Sequence, residues 1–387
     1  MKTKKSSFLI VLLSALTTLS SCLADGDQSI VLDSGAPQDE IAGIPGDHRA
    51  EPSPSVNQNT TVIPNVQYTT EIEGDDVIVR LDMTGVQDPE TLEWLRLVGT
   101  GGEDGDRQNV WVEVDGKPKG IDVYNTIDDE EDANVATVKN DFVFLVDNSG
   151  SMSEEADAIA RDIIDWATEL SVNLDVRFGC VGYNGNISGA IDLTTSSKLK
   201  TYLERNSGTS RTVGYGSSNI ENAALSYSSV SGECGTLALR FADEKFSFRS
   251  GANRIYVNFT DEPNQPGGSP SFSVEYVNPA TNSWSSAQGT IHTIFSGTLG
   301  QEQIYVDEDP CKMSVYTGGT SFVVGSNFAG VTLSDLPVTK AMHNSYVIRF
   351  TNVDEFMDGL PHEVKITIVS SDGHVQAERI FTIVFGE

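Results

Sequence analysis

The sequence predicts an α/β domain wound on a mainly parallel sheet, with antiparallel strands at both ends of the chain. Three observations lead to that fold class. Phe142-Val143-Phe144-Leu145-Val146 is an unbroken apolar run, as expected of a strand buried on both faces. From there to about residue 328, strand-like and helix-like stretches alternate, the pattern of a doubly wound sheet. On either side, apolar residues recur with period 2, as in half-buried antiparallel strands.

The N-terminus reads as an address. Met1–Lys5 is basic, Phe8–Leu19 is apolar, and Leu19-Ser20-Ser21-Cys22 closes the segment, so residues 1–21 are predicted to be a signal peptide for Sec export. The apolar run is too short to span a bilayer, which excludes a polytopic membrane protein. Leu19–Cys22 resembles the lipobox of bacterial lipoproteins. That resemblance implies a lipidated Cys22 as mature N-terminus and attachment to a membrane through the lipid. Asp25 and Asp27 follow closely, and early acids of this kind resemble the export signals of Bacteroidetes surface lipoproteins. The expected location is therefore the outer membrane, facing outward. Residues 22–60 carry Pro37, Pro45, Pro52 and Pro54 among Asp, Ser, Gly and Asn, without period, and are predicted to be a flexible tether.

The remaining elements follow in order. Val66, Tyr68, Thr70 and Ile72, then Val77, Val79, Leu81 and Met83, predict a hairpin turning at Glu73–Asp76. Val110, Val112 and Val114 form a short strand before Asp115-Gly116. The acidic run in Thr126–Asn134 is read as a linker, giving an N-terminal β module over 61–134. Within the α/β domain, assigned to 135–330, Ala156, Ile159, Ala160, Ile163, Ala167 and Leu170 recur at helical spacing. Val176–Tyr183, Arg254–Thr260 and Thr290–Phe295 are strands, and Ile220–Ser228 and Thr236–Phe246 are helical. In 331–387, Tyr346–Phe350, Val364–Ile368 and Phe381–Phe385 are strands, the last two joined at Asp372-Gly373. Three strands at one end and about three at the other are each too few for a two-sheet core. They are expected to pool into one β-sandwich with the α/β domain inserted.

The chemistry concentrates at the end of the first α/β strand. Asp147, Ser149 and Ser151 alternate there, just before a helix, and such hard oxygen donors suit Mg²⁺. The segment FVFLVDNSGSM over Phe142–Met152 resembles the opening of von Willebrand factor type A domains, whose metal-ion-dependent adhesion site is written D-x-S-x-S. The resemblance covers about Asp141 to Phe328 and closes near Tyr316–Phe322. It implies a bound Mg²⁺, or Mn²⁺ or Ca²⁺, with Asp261 after the Arg254–Thr260 strand as a further donor. It also implies one more donor from the Gly214–Ala223 stretch, either Ser218 or Glu221. By the same resemblance the protein binds rather than catalyses, the metal accepting an acidic side chain of a protein partner in adhesion or complex assembly. An envelope scaffold with a structural metal is the alternative. The proposed insertion resembles that of the adhesion domain of integrin β chains.

Other chemistries lack their residues. Lys plus Arg number 25 against 56 Asp plus Glu, a net charge of −31 in 387 residues, which disfavours nucleic acid as a partner. A haloacid-dehalogenase-type site needs Asp where Ser149 stands, and no P-loop, nucleophile elbow or H-E-x-x-H occurs. Asp33-Ser34-Gly35-Ala36 matches the aspartic-protease tripeptide but has no second copy to face it. Among the cysteines beyond Cys22, Cys180 is expected to be buried, and Cys234 and Cys311 are the pair assigned to a disulfide. The stretch from Glu262 to Gly289 is expected to border the site. Near 271–276 it is read as a short helix, with Phe272 and Tyr276 packed on the sheet or free to face outward. Trp284, among polar neighbours, is predicted to be exposed and to contact the partner.

Overall fold

The computed structural model describes residues 43–57, 59–60, 66–88, 90–102, 107–125, 138–278, 280–281, 284, 288–297, 307–325, 328 and 332–385. The signal segment, Cys22, the Asp33–Ala36 motif and the acidic run at 126–134 lie outside the described residues. The fold is mixed α/β, with one seven-stranded mixed sheet and two four-stranded antiparallel sheets among the described residues.

The apolar run forms β6 (Lys139–Asp147), and it lies inside the seven-stranded sheet. It pairs in parallel with β7 (Asp175–Tyr183) on one side and β10 (Asn253–Thr260) on the other. Beyond β10 come β11 (Thr290–Phe295) and β12 (Ser321–Val323), both parallel. Beyond β7 comes the antiparallel β8 (Ile187–Thr194), which the sequence pattern did not distinguish, and then the two-residue β9 (Gly214–Tyr215).

Helices cover both faces. Phe142, Phe144 and Val146 point into a core with α1 (Ala156–Asn173) and α2 (Ser196–Leu203). Val143 and Leu145 point the other way, into a core with α3 (Ser218–Leu225), α4 (Gly235–Lys245) and α5 (Lys312–Thr317). The period-2 alternation of a strand thus serves two apolar layers, which is why its sequence is unbroken.

The flanking strands interleave. One sheet runs β1 (Val66–Glu73), β2 (Asp76–Met83), β13 (Tyr346–Phe350), β5 (Ile121–Asn125). The other runs β15 (Gln376–Ile383), β14 (His362–Val369), β3 (Val110–Val114), β4 (Lys117–Lys119). Both sheets bury their inner faces in a single core that includes Leu81, Val112, Ile348 and Ile366. The Asp115-Gly116 pair, with φ of 48° and 75°, turns β3 into β4. Ile72, at the hairpin tip, is 81% exposed rather than half-buried, because its strand outruns the sheet beneath it.

Two expected boundaries shift. Residues 43–57 and 59–60 are not a free tether. Ile44 is fully buried, Asp47 pairs with the buried Lys119 at 2.8 Å, and Ser53 donates twice to Glu113. The segment ends along β15, where the Thr60 amide donates to the Gln376 carbonyl. Pro and polar composition hid a strap that is held by specific side chains. After residue 330 the chain does not pass straight to the β module. Leu333, Leu336 and, from α6 (Pro337–His343), Val338 and Met342 join the core around α1, and Trp166 Nε1 donates to Thr339 Oγ1 at 3.0 Å.

Ile348 is fully buried in β13, opposite Leu81 on one side and Val123 on the other. Ile348→Ala should destabilise the β module by about 2–5 kcal/mol. Urea titration would check this, and a change well below that range would mean that β13 does not tie the two ends of the chain together.

Candidate metal centre

The sheet reverses its winding between β6 and β10. The chain leaves β6 through α1 to β7 on one side and later returns to β10 on the other. Crevices open at the carboxyl ends of strands at such a point. Val146 pairs with Phe259, so Asp147 stands level with Thr260 at the adjacent strand ends and Asp261 follows directly. The loop after Asp147 is pinned by Met152, which is fully buried beside α1, leaving Gly150 and Ser151 exposed at the rim.

Asp147 is fully buried. Its Oδ1 accepts from the Ser149 amide at 2.9 Å, and its Oδ2 lies 3.0 Å from Thr260 Oγ1. That hydroxyl is also 3.0 Å from the Glu262 carbonyl, so a single proton serves two acceptors. Ser149 Oγ and Ser151 Oγ are 2.9 Å apart, and Ser151 Oγ donates to Asp261 Oδ1 at 3.2 Å. Asp147, Ser149, Ser151 and Asp261 are thus brought together in one cluster of oxygen atoms.

Burial pushes the Asp147 carboxyl up to about 7, and the nearby charge of Asp261 adds to the rise. Hydrogen bonds from Ser149 and Thr260 oppose it without cancelling it. Asp261 is raised as well, by burial first and then by Glu155 and Glu233, against the hydrogen bond from Ser151. Glu262 is raised by burial, then by Asp261, Glu233 and Asp307. The cluster is acidic, oxygen-only and short of positive charge. Two carboxylates and two hydroxyls form the donor set that a hard divalent cation takes, so the residues present fit Mg²⁺, Mn²⁺ or Ca²⁺.

The other expected site residues lie on the helix that follows β9. Ser218 opens α3 and is exposed, as is Glu221. Ser217, not Ser218, caps that helix by accepting from the Ile220 amide. Among the described residues, no hydrogen bond joins Ser218 or Glu221 to the Asp147 cluster.

Trp284 is 7% exposed, not a surface residue. Its ring meets those of Tyr256 and Tyr276, and its Nε1 donates to the Gly289 carbonyl at 3.1 Å. A large apolar ring with its one donor satisfied gains from burial whatever its sequence neighbours are. Phe272 is buried in the same core, within the short turn Pro270–Phe272. Cys180, Cys234 and Cys311 are all free and buried, so the assigned disulfide does not form. The Cys234 thiol donates instead to Asn264 Oδ1 at 3.3 Å.

Two residues that the motif does not include support the site. Thr260 supplies the hydroxyl beneath Asp147, and its position directly before Asp261 at a strand end is the signal that marks it. Asn148 donates to Ser188 and Thr212 and so ties the Asp147 loop to the neighbouring segment. Thr212 sits hard against β7 and β8, where a Cβ on Gly182 or Gly189 would collide with its carbonyl.

No family model matches the chain, and no curated protein matches it. Among solved structures, an adhesive tip pilin of Group B Streptococcus agalactiae is similar at 16% identity over 33% of this chain and 46% of that one, with a TM-score of 0.23. The pilus adhesin SpaC of Lactobacillus rhamnosus GG, in its open conformation, is similar at 10% identity over 81% of this chain and 46% of that one, with a TM-score of 0.33. The human COPII-coat protein Sec24c is similar at 9% identity over 86% of this chain and 55% of that one, with a TM-score of 0.33. The chain therefore spans about half the length of each. At TM-scores this low, these likenesses carry no argument about function.

The raised Asp147 carboxyl has a signed consequence. The folded chain holds a proton up to about pH 7 that the unfolded chain releases near the ordinary value of 3.8. Without metal, stability should therefore fall as pH rises from about 4 to about 7. Asp147→Asn should reduce that slope, leaving the part due to Asp261 and Glu262, and raise the melting temperature in EDTA at pH 8. Equal melting temperatures for the two proteins there would show that the charge on Asp147 is not strained.

Proposed function

We propose that this protein is a cell-envelope lipoprotein displaying a doubly wound, von Willebrand factor A-type domain that binds a protein partner through a divalent cation. The observation that carries this reading is the cluster of Asp147, Ser149, Ser151 and Asp261 at the point where the sheet reverses its winding. Asp147 and Asp261 would hold the cation with charge, and the two serines with neutral hydroxyls. The cation, when bound, supplies an electrophilic position for a carboxylate of the partner. Thr260 and the Ser149 amide fix the Asp147 carboxylate, and buried Met152 fixes the loop that carries the serines. Ser218 or Glu221, at the start of α3, would complete the set. With Trp284 buried, the partner would meet the exposed loop at Gly150, Ser151, Ser153 and Glu154 rather than an aromatic anchor.

Attachment to the outer membrane through Cys22 belongs to the same reading and rests on the Leu19–Cys22 sequence. Among the described residues, no helix is long and apolar enough to cross a membrane. Cys22→Ser should release the protein into the soluble fraction, and continued sedimentation with membranes after a salt wash would place the anchor elsewhere.

Mg²⁺ should raise the melting temperature of the native protein by mass action and leave that of Asp147→Ala unchanged. Affinity capture from envelope extracts should recover a partner in Mg²⁺, and lose it in EDTA and with Asp147→Ala. A thermal response without any EDTA-sensitive capture would favour a structural role for the cation. A response to Mg²⁺ that Asp147→Ala retains would remove the site altogether.

A further inference from the structure

A second cluster of ligating groups lies on the β module, away from the Asp147 site. Asp88 follows β2, while Asp372 and His374 flank Gly373 in the turn between β14 and β15. One potential ligand atom from each of the three lies within 4.8 Å of the others. Asp88 is 8% exposed, whereas Asp372 and His374 are open to solvent. Asp88 Oδ1 accepts from the Glu90 and Thr91 amides at 2.7 and 2.9 Å, and among the described residues no hydrogen bond reaches its Oδ2. Asp88 thus stands beside a second carboxylate and an imidazole, a grouping that a divalent cation can bridge.

The imidazole is placed as a co-ligand rather than as a hydrogen-bond donor. His374 Nδ1 stands 3.4 Å from Glu90 Oε2 and 3.9 Å from Asp372 Oδ2. Both distances exceed a normal N–H···O bond. Two ligands on a tetrahedral ion with bonds of about 2.1 Å are separated by about 3.4 Å. Asp372 Oδ1 is occupied by Ser370 Oγ and the His374 amide, which sets the carboxylate in the turn and leaves Oδ2 available. The ligand types differ from those at Asp147, because an imidazole with carboxylates suits Zn²⁺ better than Mg²⁺.

We propose that Asp88, Asp372 and His374 form a Zn²⁺ site, its fourth position open to water, that staples the loop after β2 to the β14–β15 turn. The site joins residues from the two ends of the chain, so bound zinc stabilises the arrangement in which those ends pack together.

The test uses untagged full-length protein carrying Cys22→Ser and Asp147→Ala, so that the other proposed site is silent and the chain is soluble. Titration with ZnCl₂ by calorimetry should show one saturable equivalent, with a rise in melting temperature. His374→Gln and Asp88→Asn should each weaken that binding at least about tenfold, since losing even an outer partner of a metal ligand costs that much. Asp88→Asn keeps an oxygen for the Glu90 and Thr91 amides. Should it fail to fold, His374→Gln in the exposed turn decides alone. Absence of a saturable equivalent, or one that His374→Gln leaves at full affinity, overturns the site.

Discussion

The parallel pairing of β6 with β7 and β10 at once is the constraint from which the rest of the α/β domain follows. It sets β6 in the middle of the sheet, where helices cover both faces, so Phe142–Val146 must be apolar, and the first polar side chain at the carboxyl end is Asp147. It also fixes the register that sets Asp147 level with Thr260 and opposite Tyr183. The loops leaving β6 and β10 diverge from there, so two carboxylates far apart in sequence meet over a crevice. No long-range attraction between the acids is required, and their repulsion is overcome by the packing of the strands that carry them.

The β module depends on a different closure. Asn125, the last residue of β5, pairs with Tyr346, the first of β13. The α/β domain therefore leaves and re-enters the β module at neighbouring positions of one sheet. Closing so long a loop costs little more than closing a short one, since the entropy grows only with the logarithm of length. What holds it shut is the shared core, with Ile348 and Phe350 of β13 set among strands from the other end of the chain. α6 adds a second hold, packing Val338 and Met342 against the α1 side of the sheet and accepting the Trp166 hydrogen bond just before the chain enters β13.

How much of this the sequence reveals depends on how far each residue's partners lie from it. β6, α1 and the β1–β2 hairpin are legible because their burial patterns are local and periodic. The D-x-S-x-S run is legible because its residues all lie on one loop. β4 is short and polar and β5 is only five residues long, and their assignment comes from pairing with β3 and β13. The strap at 43–60 reads as linker by composition, since its anchors, Ile44, Asp47 and Ser53, find partners only once the β module exists. Trp284 misleads for the same reason. Its neighbours are polar, but the aromatic rings that cover it come from Tyr256 and Tyr276. Cys234 and Cys311 look pairable when counted, yet each thiol is packed into its own surroundings.

Electrostatics connects the proposed site to the composition of the chain. Glu155, Glu233, Glu262 and Asp307 add their field to that of Asp147 and Asp261, so a cation is drawn in and a bare carboxylate is pushed away. A partner's acidic side chain would therefore meet net repulsion on approach and attraction only at bonding distance from the cation. Recognition on these terms is short-ranged. Long-range steering works against it, and salt, by screening the surplus acids beyond about 8–10 Å, would ease the encounter more than it weakens the direct bond. The acidic composition would then act as a filter: it favours partners that fit closely enough to reach the cation over those held merely by opposite charge at a distance.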